Sequence, residues 1–255
     1  MKAKKSLGQH FLNQPSIAEK IALSVLPLSN LHRVIEIGPG MGMLTQFLLK
    51  RFPDLLMIET DSDMVHYLNQ RFAGHQHNIV HADFLKVRID ELISGPIALV
   101  GNFPYNISSQ ILFKLLDHRV LIPQLVGMFQ KEVAERIAAD HGSKTYGILS
   151  VLLQTYYKVE LLFNVSPQCF SPPPKVQSAV IRLVAKEEVS IDEALEKKLK
   201  QVVKLAFNQR RKMLRNSLKS IWPEQFGSDD SILTKRPEQL SVSDFLELSR
   251  RLVSL

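Results

Sequence analysis

Short apolar runs alternate with amphipathic stretches through the first 185 residues. Runs rich in aliphatic and β-branched side chains occupy 34–37, 55–59, 79–81, 97–102 and 125–129, and segments with helical spacing occupy 15–25, 43–51, 62–72, 108–118 and 131–138. That alternation predicts right-handed crossovers and a mostly parallel sheet. Two further strands, 155–163 and 178–184, are separated only by a stretch around Pro172-Pro173-Pro174. This leaves no room for a helical crossover, so the sheet is expected to have seven strands with the last one antiparallel. After a polar stretch at 186–190 the pattern reads helix, loop, helix. The expected organisation is an α/β domain over residues 1–186 and a small all-helical domain over residues 187–255.

The 255 residues are 45% hydrophobic and 22% charged, an ordinary globular balance. Lys and Arg outnumber Asp and Glu by 32 to 25, giving a net charge of +7 that favours a polyanionic partner. A single cysteine, Cys169, rules out an intrachain disulfide and fits a reducing cytoplasm. Neither a signal core nor a run of membrane-spanning length is present, so a soluble cytoplasmic protein with no membrane role is expected. No metal-ligand spacing stands out.

The strand ending at Ile37 runs into Gly38-Pro39-Gly40-Met41-Gly42 before a helix. Such a turn brings backbone close to a nucleotide. The last glycine comes one residue early for a dinucleotide fingerprint, and Pro39 removes a donor that a pyrophosphate would want, so a cofactor without phosphates fits better than a nicotinamide dinucleotide. Glu59, at the end of the second strand, can accept both hydroxyls of a ribose. Asp83, at the end of the third and flanked by Ala82 and Phe84, can accept from an adenine amine. All lie at strand C-termini, where open α/β sheets bind ligands. The pattern describes an adenosyl site.

The fourth strand ends in Asn102-Phe103-Pro104-Tyr105. An adenine exocyclic nitrogen is a poor nucleophile because its lone pair is delocalised into the ring. If the Asn102 side-chain oxygen and the Pro104 carbonyl each accept one amine hydrogen, the nitrogen can rehybridise and aim its lone pair at a sulfonium methyl. Tyr105 would stack on the extruded base. The alternative is a strand end and turn with Phe103 and Tyr105 as core aromatics.

With these residues in place, the chain resembles the KsgA/RsmA family of ribosomal RNA adenine dimethyltransferases, relatives of the Erm methylases. Gly8-Gln9-His10-Phe11-Leu12 resembles the family's cofactor-covering segment, with His10 where the family usually has Asn. Glu36-Ile37-Gly38-Pro39-Gly40 resembles its glycine loop. Asn102-Phe103-Pro104-Tyr105-Asn106-Ile107-Ser108 is similar to its catalytic motif, with Phe103 in place of Leu, and the run from Phe170 to Ser178 matches a further motif. The resemblance implies a Rossmann-like class I methyltransferase sheet and S-adenosylmethionine as cofactor. It implies cofactor contacts from His10, Leu12, Gly38, Gly40, Glu59, Asp83 and Asn102, and stacking of Phe170 on the face of the target base opposite Tyr105.

Residues 195–220 carry nine basic side chains against one acid, Glu196. Unlike a solvated helix face, which mixes both signs, this stretch suits backbone phosphates. Lys204, Arg210, Arg211, Lys212 and Arg215 are the expected RNA contacts. The family implies two adjacent adenosines in the 3′-terminal hairpin loop of 16S ribosomal RNA; a pre-30S particle is the expected partner, and nothing in the sequence demands more than a monomer. A ribosome-assembly binding factor, or an adenine methylase acting on large-subunit RNA or DNA, are the alternatives.

Overall fold

The computed structural model describes residues 4, 7–187, 189, 191–223 and 230–253. The elements run, in order, β1 (Phe11–Leu12), α1 (Pro15–Leu23), β2 (Arg33–Ile37), α2 (Thr45–Arg51), β3 (Leu56–Glu59), α3 (Ser62–Arg71), β4 (Ile79–His81), α4 (Ile89–Leu92), β5 (Ile97–Asn102), α5 (Ser108–Asp117), β6 (Gln124–Gln130), α6 (Lys131–Ala138), α7 (Ile148–Tyr156), β7 (Tyr157–Val165), β8 (Phe170–Ser171), β9 (Ser178–Ala185), α8 (Glu193–Asn208), α9 (Leu214–Ser217) and α10 (Val242–Val253).

Seven strands form one sheet in the order β4-β3-β2-β5-β6-β9-β7. β2 pairs in parallel with β3 and β5, β5 with β6, and β3 with β4, whereas β9 runs antiparallel to β6. The central strand β5 is buried from Ile97 to Gly101, as expected for a parallel strand covered on both faces. α5 buries Ile111, Leu112, Leu115 and Leu116, the i, i+1, i+4, i+5 stripe of a helix packed on a sheet. α3 starts where the Asp61 side chain accepts from the Asp63 amide, an N-cap that fixes the chain direction just after Glu59. A separate two-stranded ribbon pairs Phe11 with Ser171 and Leu12 with Phe170.

The chain divides into two compact units, Met1–Ala134 with Val159–Ala185, and Glu135–Lys158 with Lys186–Leu255. The second unit thus takes in a segment that the sequence pattern assigns to the first domain, besides everything after residue 186. Its centre is α7, which buries seven of its residues including Leu149, Val151 and Leu153 and packs against α8 and α10. The stretch expected to be strand from 155 is in fact helix to Tyr156 and strand only from Tyr157. Seven of the nine residues from Ile148 to Tyr156 are buried, and an apolar-rich run this short carries little periodicity to separate helix from strand. Among the described residues no helix is long and apolar enough to cross a membrane.

Candidate active site

Within the first unit, a cavity opens at the C-terminal ends of β2, β3 and β5 and beyond β4, closed on one side by residues 7–12. The glycine turn supplies its floor. Gly38 and Gly40 have φ of +64° and +55°, a left-handed conformation that side chains disfavour. A Cβ on Gly38 would meet nothing within 4 Å, so that stretch of backbone is open to a ligand. A Cβ on Gly40 would stand 3.1 Å from the Phe11 ring, which covers the turn from above.

Glu59 is 4% exposed, and its two oxygens accept from the Gly40 and Asp61 amides, each at 2.9 Å. Burial pushes its carboxyl above the usual range, while those amides pull the other way. Each oxygen retains a lone pair, enough for the two hydroxyls of a ribose. Asp83 is half-buried and its Oδ1 accepts from the Leu85 amide at 3.0 Å. The turn that carries it is clamped by Lys114, whose Nζ donates to the carbonyls of Phe84 at 2.7 Å and Leu85 at 3.1 Å.

Asn102 Nδ2 donates to the His10 carbonyl at 2.8 Å. A carbonyl only accepts, so this bond fixes which way the amide points and leaves Oδ1 as the free acceptor. The Pro104 carbonyl is already close to the Ile107 amide at 3.2 Å and the Ser108 Oγ at 3.1 Å. Ser108 Oγ lies equally close to the Tyr105 carbonyl at 3.1 Å. Its single hydrogen can serve only one of them, so donation to Tyr105 leaves the Pro104 oxygen a lone pair. Tyr105 is half-buried, its hydroxyl 2.6 Å from Ser178 Oγ, and burial pushes its pKa up, keeping it neutral. Phe103 is 1% exposed and is core, so one aromatic of the tetrapeptide packs and the other faces the cavity.

Leu12 lines the cavity and is also core. Phe170, expected on the target base, is instead 3% exposed and belongs to the apolar cluster with Leu12, Val165 and Val180. In this arrangement its ring offers no free face, because pairing with Leu12 draws it inward. The ring that does lie on Tyr105 is His10, with centroids 5.5 Å apart and planes 27° apart.

Two features of the site are not among those expected from the sequence. Glu36 is 1% exposed on the cavity side of β2, and burial pushes its carboxyl up to about 8 even though Thr45 Oγ1 donates to it at 2.6 Å. An acid inside an apolar strand was the available signal. The second is a latch: Asp61 accepts from Lys4 Nζ at 2.6 Å and from Gln9 Nε2 at 2.8 Å, tying the covering segment to α3. Burial opposes the Asp61 charge, but these donors outweigh it and hold the carboxyl below its usual range.

In the second unit, Lys204, Arg211, Lys212 and Arg215 are exposed, and among the described residues none has an ion-pair partner. Arg210 differs. Half-buried, it donates to the Ser143 carbonyl at 3.2 Å and lies 3.9 Å from the Glu238 carboxylate, so it holds its own unit together.

A family model described as ribosomal RNA adenine dimethylase matches residues 1–252. Ribosomal RNA small subunit methyltransferase A of Phocaeicola vulgatus is 52% identical over 253 residues, covering 98% of this chain and 90% of that protein. Among solved structures, a dimethyladenosine transferase from Plasmodium falciparum superimposes with a TM-score of 0.82 at 27% identity, covering 96% of this chain and 99% of that one. The 23S rRNA methyltransferase ErmE does so with a TM-score of 0.72 at 28% identity, covering 93% and 98%.

Proposed function

Because the chain belongs to the ribosomal RNA adenine dimethylase family, an enzyme family that uses S-adenosylmethionine, we propose that it dimethylates the N6 amine of two adjacent adenosines in the 3′-terminal hairpin loop of 16S ribosomal RNA. The substrate is a pre-30S particle in the cytoplasm, and the enzyme acts as a monomer. The 52% identity to a small-subunit methyltransferase, against 28% to a 23S enzyme of similar fold, favours the small-subunit target.

The cavity suits the cofactor. Glu59 offers two acceptors for the ribose and Asp83 one for the adenine amine, Gly38 leaves its backbone open, and His10 and Leu12 close the side. When bound, S-adenosylmethionine supplies an electrophilic methyl on a sulfonium. The chain's own share is to hold the amine. Asn102 Oδ1 and the Pro104 carbonyl each accept an N6 hydrogen, turning the nitrogen lone pair out of conjugation, and their bonds strengthen as the nitrogen gains positive charge. Tyr105 is the platform on which the extruded base stacks. Lys204, Arg211, Lys212 and Arg215 bind phosphates of the RNA backbone.

The observation that carries this reading is the Asn102–His10 bond, which aims a free amide oxygen into the cavity end of β5. The test is incubation with methyl-labelled S-adenosylmethionine and under-methylated small subunits, with large subunits and duplex DNA in parallel. Dimethyladenosine confined to the small subunit is the expected product. Label only in large subunits or DNA would overturn the target, and no label anywhere would favour an assembly-binding role.

A further inference from the structure

The ring most intimate with Tyr105 belongs to His10. The Tyr105 hydroxyl is anchored by Ser178 at 2.6 Å, so the plane of the phenol is set from the far end of the ring. Against it the imidazole lies nearly parallel, 5.5 Å between centroids and 27° between planes, which is the offset geometry a purine would take on the same surface. Both rings line the cavity. The imidazole is also held from behind: its Nδ1 is 2.8 Å from the Pro172 carbonyl, and since a carbonyl only accepts, Nδ1 carries the hydrogen. The backbone of the same residue receives the Asn102 amide. Position 10 thus touches both halves of the amine-binding motif, by main chain at Asn102 and by ring at Tyr105.

We propose that the His10 side chain is a placeholder in the target-base site: it covers Tyr105 in the substrate-free enzyme and yields that surface to the incoming adenine, so that the size of the side chain at position 10 sets how readily the base docks. The inference rests on Tyr105 being the base platform. A purine presents a larger π surface than an imidazole and displaces it, at the cost of the stack and of the Nδ1 bond to Pro172. The bond to Asn102 is made by main chain and survives the exchange. Apparent affinity for the RNA is therefore reduced by the fraction of enzyme in which Tyr105 is covered.

The test compares His10→Ala and His10→Trp at saturating S-adenosylmethionine, with under-methylated small ribosomal subunits as the titrated substrate and cofactor affinity measured separately by calorimetry. A placeholder predicts shifts of opposite sign. KM for the subunits falls roughly two- to tenfold in His10→Ala, where the stack is removed, and rises in His10→Trp, where a stronger stacker competes. A supporting wall predicts a rise in His10→Ala instead, and any pattern without opposite signs overturns the proposal. Tyr105→Ala separates this from the reading beneath it. If Tyr105→Ala leaves kcat and KM unchanged, the platform itself is lost. If it impairs transfer while the two His10 variants fail to diverge, only the placeholder falls.

Discussion

The ring of Phe103 lies against the backbone of Gly127, in space that a side chain on β6 would fill. A Cβ on Gly101 would likewise come within 2.7 Å of the same ring. Neighbouring β5 and β6 therefore both carry glycine at this level, Gly101 pairing with Gly127 in register, and the bulky residue between Asn102 and Pro104 sinks into the gap. Packing of Phe103 is what fixes the backbone on either side of it.

Gly127→Ala should therefore act on the active site without touching it. Overpacking here should cost about 1–3 kcal/mol in denaturant unfolding and reduce methyl transfer more than cofactor affinity. Adding Phe103→Leu should recover most of both losses, because the smaller side chain vacates the space. A double variant no better than Gly127→Ala would show that the ring and the glycine are not coupled.

Asn102→Ala removes the acceptor that the His10 carbonyl orients. Loss of one positioned acceptor should lower kcat by roughly 10²–10³-fold. Asn102→Asp should not rescue it, since a carboxylate keeps an acceptor but faces the His10 carbonyl with no hydrogen to donate. Single-turnover rates at saturating substrate check both, and an Asp variant near wild-type rate would refute the orienting bond.

Glu36 links stability to pH. Its folded carboxyl titrates at about 8 against 4.5 ordinarily, so folding takes up a proton between those values. The stability it contributes is whole below about pH 4.5 and is lost as pH rises through 8, with a slope of at most about 1.4 kcal/mol per pH unit in between. Glu36→Gln, neutral throughout and still able to accept from Thr45, should remove that slope. Unfolding free energies at pH 5, 6.5 and 8 on both proteins would show it, and parallel curves would mean the carboxyl is ionised in the fold.

The exposed cations of the second unit should behave differently from their half-buried neighbour. Neutralising Lys204, Arg211, Lys212 or Arg215 singly should lower RNA affinity and reduce the salt slope by about one for each RNA phosphate that is no longer neutralised. Arg210→Ala should instead destabilise the unit, because it removes the bonds to Ser143 and Glu238, with little change in that slope. Binding measured from low to moderate salt, beside thermal unfolding, separates the two classes.

The five parallel strands and the five longer helices up to Ala138 were legible from apolar runs, helical spacing and breaks such as the glycine turn after β2, whereas the two-residue β1 and the one-turn α4 are too short to carry a pattern. The residues expected at the adenosyl and amine sites line one cavity because an open sheet delivers the ends of successive parallel strands to one edge. α7 was not legible, because most of its nine residues are apolar and seven are buried, which leaves too little polar face to mark a helix. Local pattern cannot reveal which unit a segment joins, so Glu135–Lys158 goes by sequence with its chain neighbours and by structure with its packing partners.

The amino-acid sequence by itself determined most of the alternation of strands and helices up to Ala138, the glycine turn, the polar side chains placed at strand ends by Glu59, Asp83 and Asn102, and the basic character of 195–220. Each of these is a property of neighbouring residues. Tertiary structure alone decided which groups remain available. It turned the Asn102 amide through a carbonyl 92 residues away, drew Phe170 into the core beside Leu12, laid His10 on Tyr105 and committed Arg210 to Ser143. Hydrogen-bond partners and ring faces are assigned by approach in space, and the approach of distant segments is set by how the whole core packs.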